Sequence, residues 1–472
     1  MREANNSLVT DDLKYLMGLE VQELPLTTTP GGPLPGNVRD LSPGDKEEAR
    51  QTVFAIAFNT RDKHFHYHLY QFLISMGWQA QQELIKRHPT FLEEYLCSQG
   101  NLPAGGMLNV NLPPLEALDE DAVLALQLLT ELYKANAAHG QAAVLQLLLA
   151  QRKYGLGTQG VTLQERRKHM ADAVAHIKTQ ATGQGTGHMT VDVDYFETKL
   201  QVLEIQIQLH QKMSAAAGKA AALGLPAAEV KGLKDKVQNL EIYICDLTEL
   251  YNDYGYPEQF WDLCLEMLFL AKYTEATTIQ DLWDKCLETA AQAGDLGTHN
   301  LAQACESVLA LGKRFWPNET MLPLQHLSSR LDEIAAGMWP IKGPPASGES
   351  LEEIPKVLLQ ITDGSAERLR RAYDSLLMLP SARPALKLQH LKTLSILMGK
   401  MAKDIKGMFD GSGVPTLLGK GTMRDVGNFT SLLERYALMA RNLPLNADET
   451  GAVADQLEDI FTTMPAFSTD LL

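Results

Sequence analysis

Aromatic residues make up only 7% of the chain, and alternating runs of strand formers are almost missing, so little in it could build a sheet. No two of the five cysteines (97, 245, 264, 286 and 305) stand in C-x-x-C spacing, and their number is odd. That argues against a disulfide framework and against a structural zinc site. Four of them sit among apolar neighbours in helical stretches, as buried free thiols do, which suits a reducing compartment such as cytosol or nucleus. No apolar run approaches the ~18 residues that a membrane span needs, and the first residues do not read as a signal peptide. Positive charge is also short, with 42 Lys and Arg against 58 Asp and Glu and a net charge of −16. A phosphate-binding surface depends on clustered cations, so direct nucleic-acid binding is not expected.

Catalytic signatures are missing too. Neither G-x-S-x-G nor H-E-x-x-H occurs. Gly183-Gln184-Gly185-Thr186-Gly187-His188 has the glycines of a phosphate loop but neither the preceding strand nor the Gly-Lys-Ser/Thr ending, and it reads as an inter-helix loop. His64-Phe65-His66-Tyr67-His68 would line one face of a strand, but its surroundings are helical and no metal site is expected. His169 and His176 can share a helix face, yet no Cys or carboxylate joins them at ligand spacing. Glu93-Glu94, Asp119-Glu120-Asp121 and Glu352-Glu353 read as surface pairs without a partner base. No catalytic residue, cofactor or metal is expected, and the contact residues for partners are not legible.

What the chain does have is helix-forming mass: 45% of it is hydrophobic, mostly Leu, Ala and Met. At 472 residues it exceeds a single core, so it must divide or extend as a stack. Ser42-Pro43 offers an N-cap followed by proline at the first helical position. Helices are expected from Asp45 to Phe58 and Asp62 to Ser75. Thr162-Leu163-Gln164-Glu165 forms a capping box ahead of Met170, Ala173, Val174 and Ile177. Longer patterns run from Val191 to Met213 and, unbroken, from Glu229 to Tyr254, and Pro257 is expected to open the next helix. Further helices read as 277–293, 299–315, 321–337, 351–362, 366–379, 385–409, 426–442 and 448–463. The expected fold is all-α: an irregular α-solenoid of stacked antiparallel helix pairs with no sheet and no repeat consensus.

Composition divides the chain into an N-terminal helix with a Pro/Gly-rich linker (1–41), a helical stack (42–338) and a second stack (339–472) after the break Gly337-Met338-Trp339-Pro340-Ile341-Lys342-Gly343-Pro344-Pro345. The basic clusters Glu165-Arg166-Arg167-Lys168-His169 and Arg368-Leu369-Arg370-Arg371 read as solvated helix faces. Phe315-Trp316-Pro317 and Met338-Trp339-Pro340 place large rings at helix ends. Packing there is the first reading, and a docking pocket for a partner's short motif is the second.

Several stretches, taken in order, resemble one family. Ile56-Ala57-Phe58-Asn59-Thr60-Arg61-Asp62 with Phe65 and Leu69-Tyr70-Gln71-Phe72-Leu73-Ile74 is similar to its helix pair, and Phe91-Leu92-Glu93-Glu94-Tyr95-Leu96 to the short helix that follows. Thr162 to Arg167, Phe196 to Val202 with Gln206-Ile207-Gln208, Tyr251 to Leu265 with Gln280-Asp281-Leu282-Trp283-Asp284, and Leu311 to Phe315 before Met321-Leu322-Pro323-Leu324 resemble later segments. The family is that of the large non-FG, non-repetitive scaffold nucleoporins of the inner ring of the nuclear pore, the one-hundred-and-fifty-five-kilodalton class with its larger yeast relatives. The resemblance spans about residues 50–340 and is thinner in the last third. It covers the family's C-terminal helical part only. Members also carry an N-terminal β-propeller, to which their membrane contact is attributed. No such region is read here, and direct membrane contact is not expected of this segment.

The resemblance implies a structural constituent of the nuclear pore complex at the nuclear envelope, supporting nucleocytoplasmic transport of protein and mRNA. Its implied partners are other nucleoporins: the adaptor with an RNA-recognition-like domain, Phe-Gly linker nucleoporins and other inner-ring scaffolds. Grooves between helices near the C-terminal half would accept their extended or amphipathic segments. A helical-repeat adaptor of a vesicle coat is the alternative, and a helical enzyme a third possibility that lacks a convergent site.

Overall fold

A computed structural model of the chain describes residues 43–102, 108, 118–152, 161–184, 192–292, 300–340, 351–380, 382–409 and 426–463. Among them every regular element is a helix and no strand is present, as an all-α chain should show. Residues 1–41, most of the glycine-rich 183–188 stretch, 341–345 and the loop from Asp410 to Gly421 lie outside the described residues. The chain forms two compact units, Met1–Cys245 and Asp246–Leu472.

The first unit contains α1 (Pro43–Phe58), α2 (Lys63–Ser75), α3 (Trp78–Arg87), α4 (Leu92–Gln99), α5 (Glu120–Ala135), α6 (His139–Gln151), α7 (Leu163–Thr179), α8 (Val193–Ala222) and α9 (Ala227–Ile242). From α4 onward each helix packs on the next, so the core runs along the unit as successive antiparallel pairs. Residues 136–138 alone turn α5 back into α6. Helix α6, apolar on every side, is buried on every side: Ala142 to Ala150 are all inaccessible, Gln146 included. The capping box forms as expected, with the Glu165 N–H donating to Thr162 Oγ1 (3.2 Å) and the Thr162 N–H donating to Glu165 Oε2 (2.8 Å). That bond draws the Glu165 carboxyl below its usual range.

The unbroken helix expected from Glu229 to Tyr254 is instead interrupted. Helix α9 ends at Ile242, Tyr243 is extended (φ −152°, ψ 172°), and a new turn begins at Leu247. Two buried side chains from other helices hold the gap open. Gln206 on α8 donates through Nε2 to the carbonyls of Leu240 (2.6 Å) and Tyr243 (2.7 Å), and its Oε1 accepts from the Cys245 N–H (3.0 Å). Arg166 on α7 donates to the carbonyls of Glu241 (3.4 Å) and Ile242 (2.7 Å). Backbone groups that a continuous helix would satisfy internally are met by these side chains, so periodicity gives no sign of the break.

The second unit opens with a π-helical turn, Leu250–Gly255, and continues through α10 (Trp261–Leu270), α11 (Ala276–Ala291), α12 (Leu301–Phe315), α13 (Leu324–Ala335), α14 (Glu353–Ile361), α15 (Ala366–Met378), α16 (Pro384–Phe409), α17 (Val426–Arg441) and α18 (Ala447–Thr463). Pro257 does not start a helix. The Phe260 N–H closes onto the Gly255 carbonyl (3.0 Å) with Gln259 left-handed (φ 59°), and α10 starts only at Trp261.

Within this unit a helix packs on its successor and also on the helix after that. Helices α10, α12, α14, α16 and α18 form one layer, and α11, α13 and α15 the other. This is the two-layer stacking of an α-solenoid. The break at 337–345 falls inside this unit, since α12 packs against α14 and α13 against α15 and α16. Gly312 shows how close α12 and α14 come: a Cβ built there would lie 2.7 Å from Ile361 Cδ1. All five cysteines are buried and none is in a disulfide, and burial pushes the Cys97 thiol up to about 11.

Candidate partner-docking surfaces

The two basic clusters are not wholly solvated, and each turns one arginine inward. Arg166 is fully buried and, besides the α9 carbonyls, donates to those of Ala150 (2.6 Å) and Arg152 (2.9 Å). Arg167, Lys168 and their neighbours keep the outer face, where Arg167 meets Glu204 (3.2 Å). In the second cluster Arg370 is buried between Glu367 (2.7 Å) and Asp374, next to Tyr436 (3.3 Å). Arg368 and Arg371 remain outside. A helix of this length has one inward face, and the residue type there follows from what waits to be hydrogen-bonded beneath it.

On α2 the histidine string divides. His66 is buried, with Nε2 on the Thr60 carbonyl (2.8 Å) and Nδ1 on the Tyr70 hydroxyl (2.9 Å), while His64 and His68 face outward one turn apart. Among the described residues no group of three or more His, Cys, Asp and Glu could hold a metal ion. No described helix is long and apolar enough to cross a membrane. The acidic pairs serve the fold: Glu93 accepts from the Tyr133 hydroxyl (2.8 Å), Asp119 caps α5 at Ala122 N (2.7 Å), and Glu353 meets Lys356 (3.0 Å).

His169 and His176 are half-buried on α7 of the first unit. His169 Nδ1 bonds to Gln146 Oε1 (2.7 Å), and burial, aided by Arg152, holds its imidazole down at about 4. His176 stacks on His139 at 5.7 Å and is also lowered, mainly by burial. The unfolded chain binds these protons near pH 6.5 and the folded chain does not. Stability from them is therefore complete above about pH 6.5 and is lost as pH falls toward 4. Urea unfolding at pH 7 and pH 4.5 is expected to show a difference that shrinks in His169→Gln by on the order of 2 kcal/mol. An unchanged difference would refute the assignment.

The tryptophans behave as helix-end packing. Trp316 Nε1 donates to Asp363 (3.1 Å) under Arg368 (4.9 Å from the ring centre), and Trp339 lies beneath Arg330 (4.8 Å). Arg330 in turn clamps Asp284 across α11 and α13 through two bonds (2.7 and 2.8 Å), with His326 on the same carboxylate. Burial works against that charge, but His326 and Arg330 keep Asp284 below the usual carboxylate range.

Among the described residues, open grooves lie between helices of the second unit. One of about 640 Å³ runs between α10, α11 and α12, over Trp261, Ala290, Ala310 and Leu311, with Asp262, Glu266, Glu306 and Arg314 along it. Another of about 400 Å³ lies between α17 and α18, where Leu438 and Phe461 are exposed. A hollow of about 530 Å³ sits beside the π-helical turn at Tyr251 and Tyr256. These residues have no sequence motif in common, because each opening is set by how neighbouring helices pack.

Stacked helix layers with open grooves between them are the architecture of an interaction scaffold. A family model described as "Non-repetitive/WGA-negative nucleoporin C-terminal" matches residues 21–447, and the chain belongs to that family. It is a nucleoporin of the large non-FG scaffold class, a constituent of the nuclear pore complex at the nuclear envelope. Its similarity to nuclear pore complex protein Nup154 of Drosophila melanogaster is 23% identity over 169 residues, 36% of this chain. The aligned part is 11% of that protein, so the match spans about a tenth of its length. The fold is similar to the Chaetomium thermophilum Nup170 CTD, crystallised in a Nup145N complex. The TM-score is 0.61 at 14% identity, over 89% of this chain and 73% of that one. The Nup170 SOL structure from the same organism gives 0.63 at 14% identity, over 89% and 52%.

Proposed function

We propose that this chain is a non-catalytic structural scaffold of the inner ring of the nuclear pore, holding linker and adaptor nucleoporins by segments laid along its helical surface. The observation that carries this reading is the set of open grooves between helices of the second unit, on a fold whose Nup170 counterpart was crystallised in a Nup145N complex. A docked segment would gain most where its apolar side chains leave water and its charges find partners, and the chain would contribute by being rigid beforehand. The buried side chains of Arg166, Gln206 and Asp332 make cross-helix bonds, which suits a part that is bound rather than one that moves.

The test is affinity recovery of the tagged chain from cells, together with imaging. The expected result is a nuclear-rim signal and enrichment of inner-ring and Phe-Gly nucleoporins. Recovery of vesicle-coat subunits with a cytoplasmic signal would overturn the reading in favour of a coat adaptor.

A further inference from the structure

Helices α10 and α12 belong to the same layer yet touch only lightly, and α11 forms a floor between them. The facing positions are short: Thr289 and Ala290 on α11, Ser307 and Ala310 on α12. What remains is the groove of about 640 Å³, within the range of sites that enclose a ligand. Trp261 and Leu311 give it apolar contact surface. Its charge has one sign, because three acids (Asp262, Glu266 and Glu306) face a single base (Arg314), a net of −2. Glu266 is sunk deepest, with 9% of its side chain exposed, where a charge is felt more strongly than at the surface.

One end of the groove already pairs a cation with an acid of the chain itself. Arg314 reaches from α12 and sets its Nη1 2.5 Å from Glu266 Oε1, so a guanidinium is accommodated at one end. We propose that the rest of the groove takes a lysine- or arginine-bearing polypeptide segment, with apolar side chains between its cations resting on Trp261 and Leu311. This rests on the scaffold reading above and names the chemistry of one class of segment that the scaffold holds. An acidic or nucleic-acid ligand would meet like charge. An uncharged apolar segment would cover the acidic groove without offsetting its net charge, at a desolvation cost. A second copy of this chain carries −16 and is repelled on average.

The probe is a synthetic peptide with four arginines alternating with leucines, titrated by fluorescence anisotropy into the full chain, alongside a twin with glutamate at the arginine positions. Three variants separate a groove from diffuse attraction to an acidic protein. Glu306→Arg reverses a groove charge, Ala310→Trp fills the groove at an exposed position without altering charge, and Glu353→Arg makes the same charge change on α14 outside it. Thermal unfolding of each variant checks that the fold is retained. The arginine peptide is expected to bind and the glutamate twin not. Glu306→Arg and Ala310→Trp should each weaken binding about tenfold, and Glu353→Arg less than about twofold.

Absence of binding, equal loss in Glu306→Arg and Glu353→Arg, or no loss in Ala310→Trp would overturn the assignment. The two readings fail separately. If the Ala310→Trp chain keeps its nuclear-rim signal and nucleoporin partners while the peptide shows no groove dependence, the groove assignment falls and the scaffold stands. If the peptide behaves as expected but no nucleoporins are recovered, the scaffold reading falls.

Discussion

Arg166→Met is expected to destabilise the first unit by about 3–5 kcal/mol, the summed cost of leaving four carbonyls without their shared donor. Methionine keeps the apolar stem but removes every donor. The carbonyls of Ala150, Arg152, Glu241 and Ile242 would lose their shared guanidinium, three of them at contacts of 2.6 to 2.9 Å. Burial lowers this guanidinium to about 10, so it still carries its charge at neutral pH. Arg166→Lys should recover only part of the loss, because one ammonium cannot span the end of α6 and the end of α9 together. Arg167→Met, one position away and exposed, is expected to change stability by less than about 0.5 kcal/mol. Urea unfolding followed by circular dichroism reads all three. Hydrogen exchange at residues 240–245 should rise first in Arg166→Met, and equal midpoints for the 166 and 167 variants would sink the argument.

The second large effect is expected at the centre of the second unit. Asp332 on α13 is fully buried, with its Oδ2 2.7 Å from His390 Nδ1 and its Oδ1 accepting from the Thr393 hydroxyl (2.6 Å), both on α16. Tyr373 and Ser328, also fully buried, border the pair. Burial raises the Asp332 carboxyl while His390 and Thr393 favour its ionised form. Asp332→Ala should cost about 3–5 kcal/mol by leaving His390 and Thr393 unmatched in the core. The double variant Asp332→Leu/His390→Phe removes both partners and fills the space. It should be closer to the parent than Asp332→Ala is, since apolar replacement of a whole buried pair is often near neutral. A double variant worse than the single one would show that packing here, not unmatched polarity, sets the cost.

Much of the helical order was legible because capping and apolar spacing act locally. Thr162 to Glu165 is an N-terminus in any surroundings, and α12 to α18 begin and end within a few residues of where their side-chain patterns change. The failures lie where a distant side chain decides. Nothing near Tyr243 announces a break, since the bonds that permit it come from Gln206 and Arg166, thirty or more positions earlier. Arg166 and Arg370 read as surface cations because sequence shows the charge and hides the carbonyls or carboxylates it will face. The grooves were the least legible part. Ala290 and Ala310 look like ordinary helix formers, and only the layer order shows that they leave space.

The pattern of neighbours in the second unit has a mechanical consequence. Nearly every substantial contact joins a helix to the next or the next but one, with the α13–α16 contact a single longer step. Short separations along the chain keep contact order low, which favours rapid, locally propagating folding. Strain applied to such a unit is shared among many small sliding interfaces rather than resisted by one hinge. A load would be expected to bend it elastically, in small increments at each helix pair, before any pair comes apart.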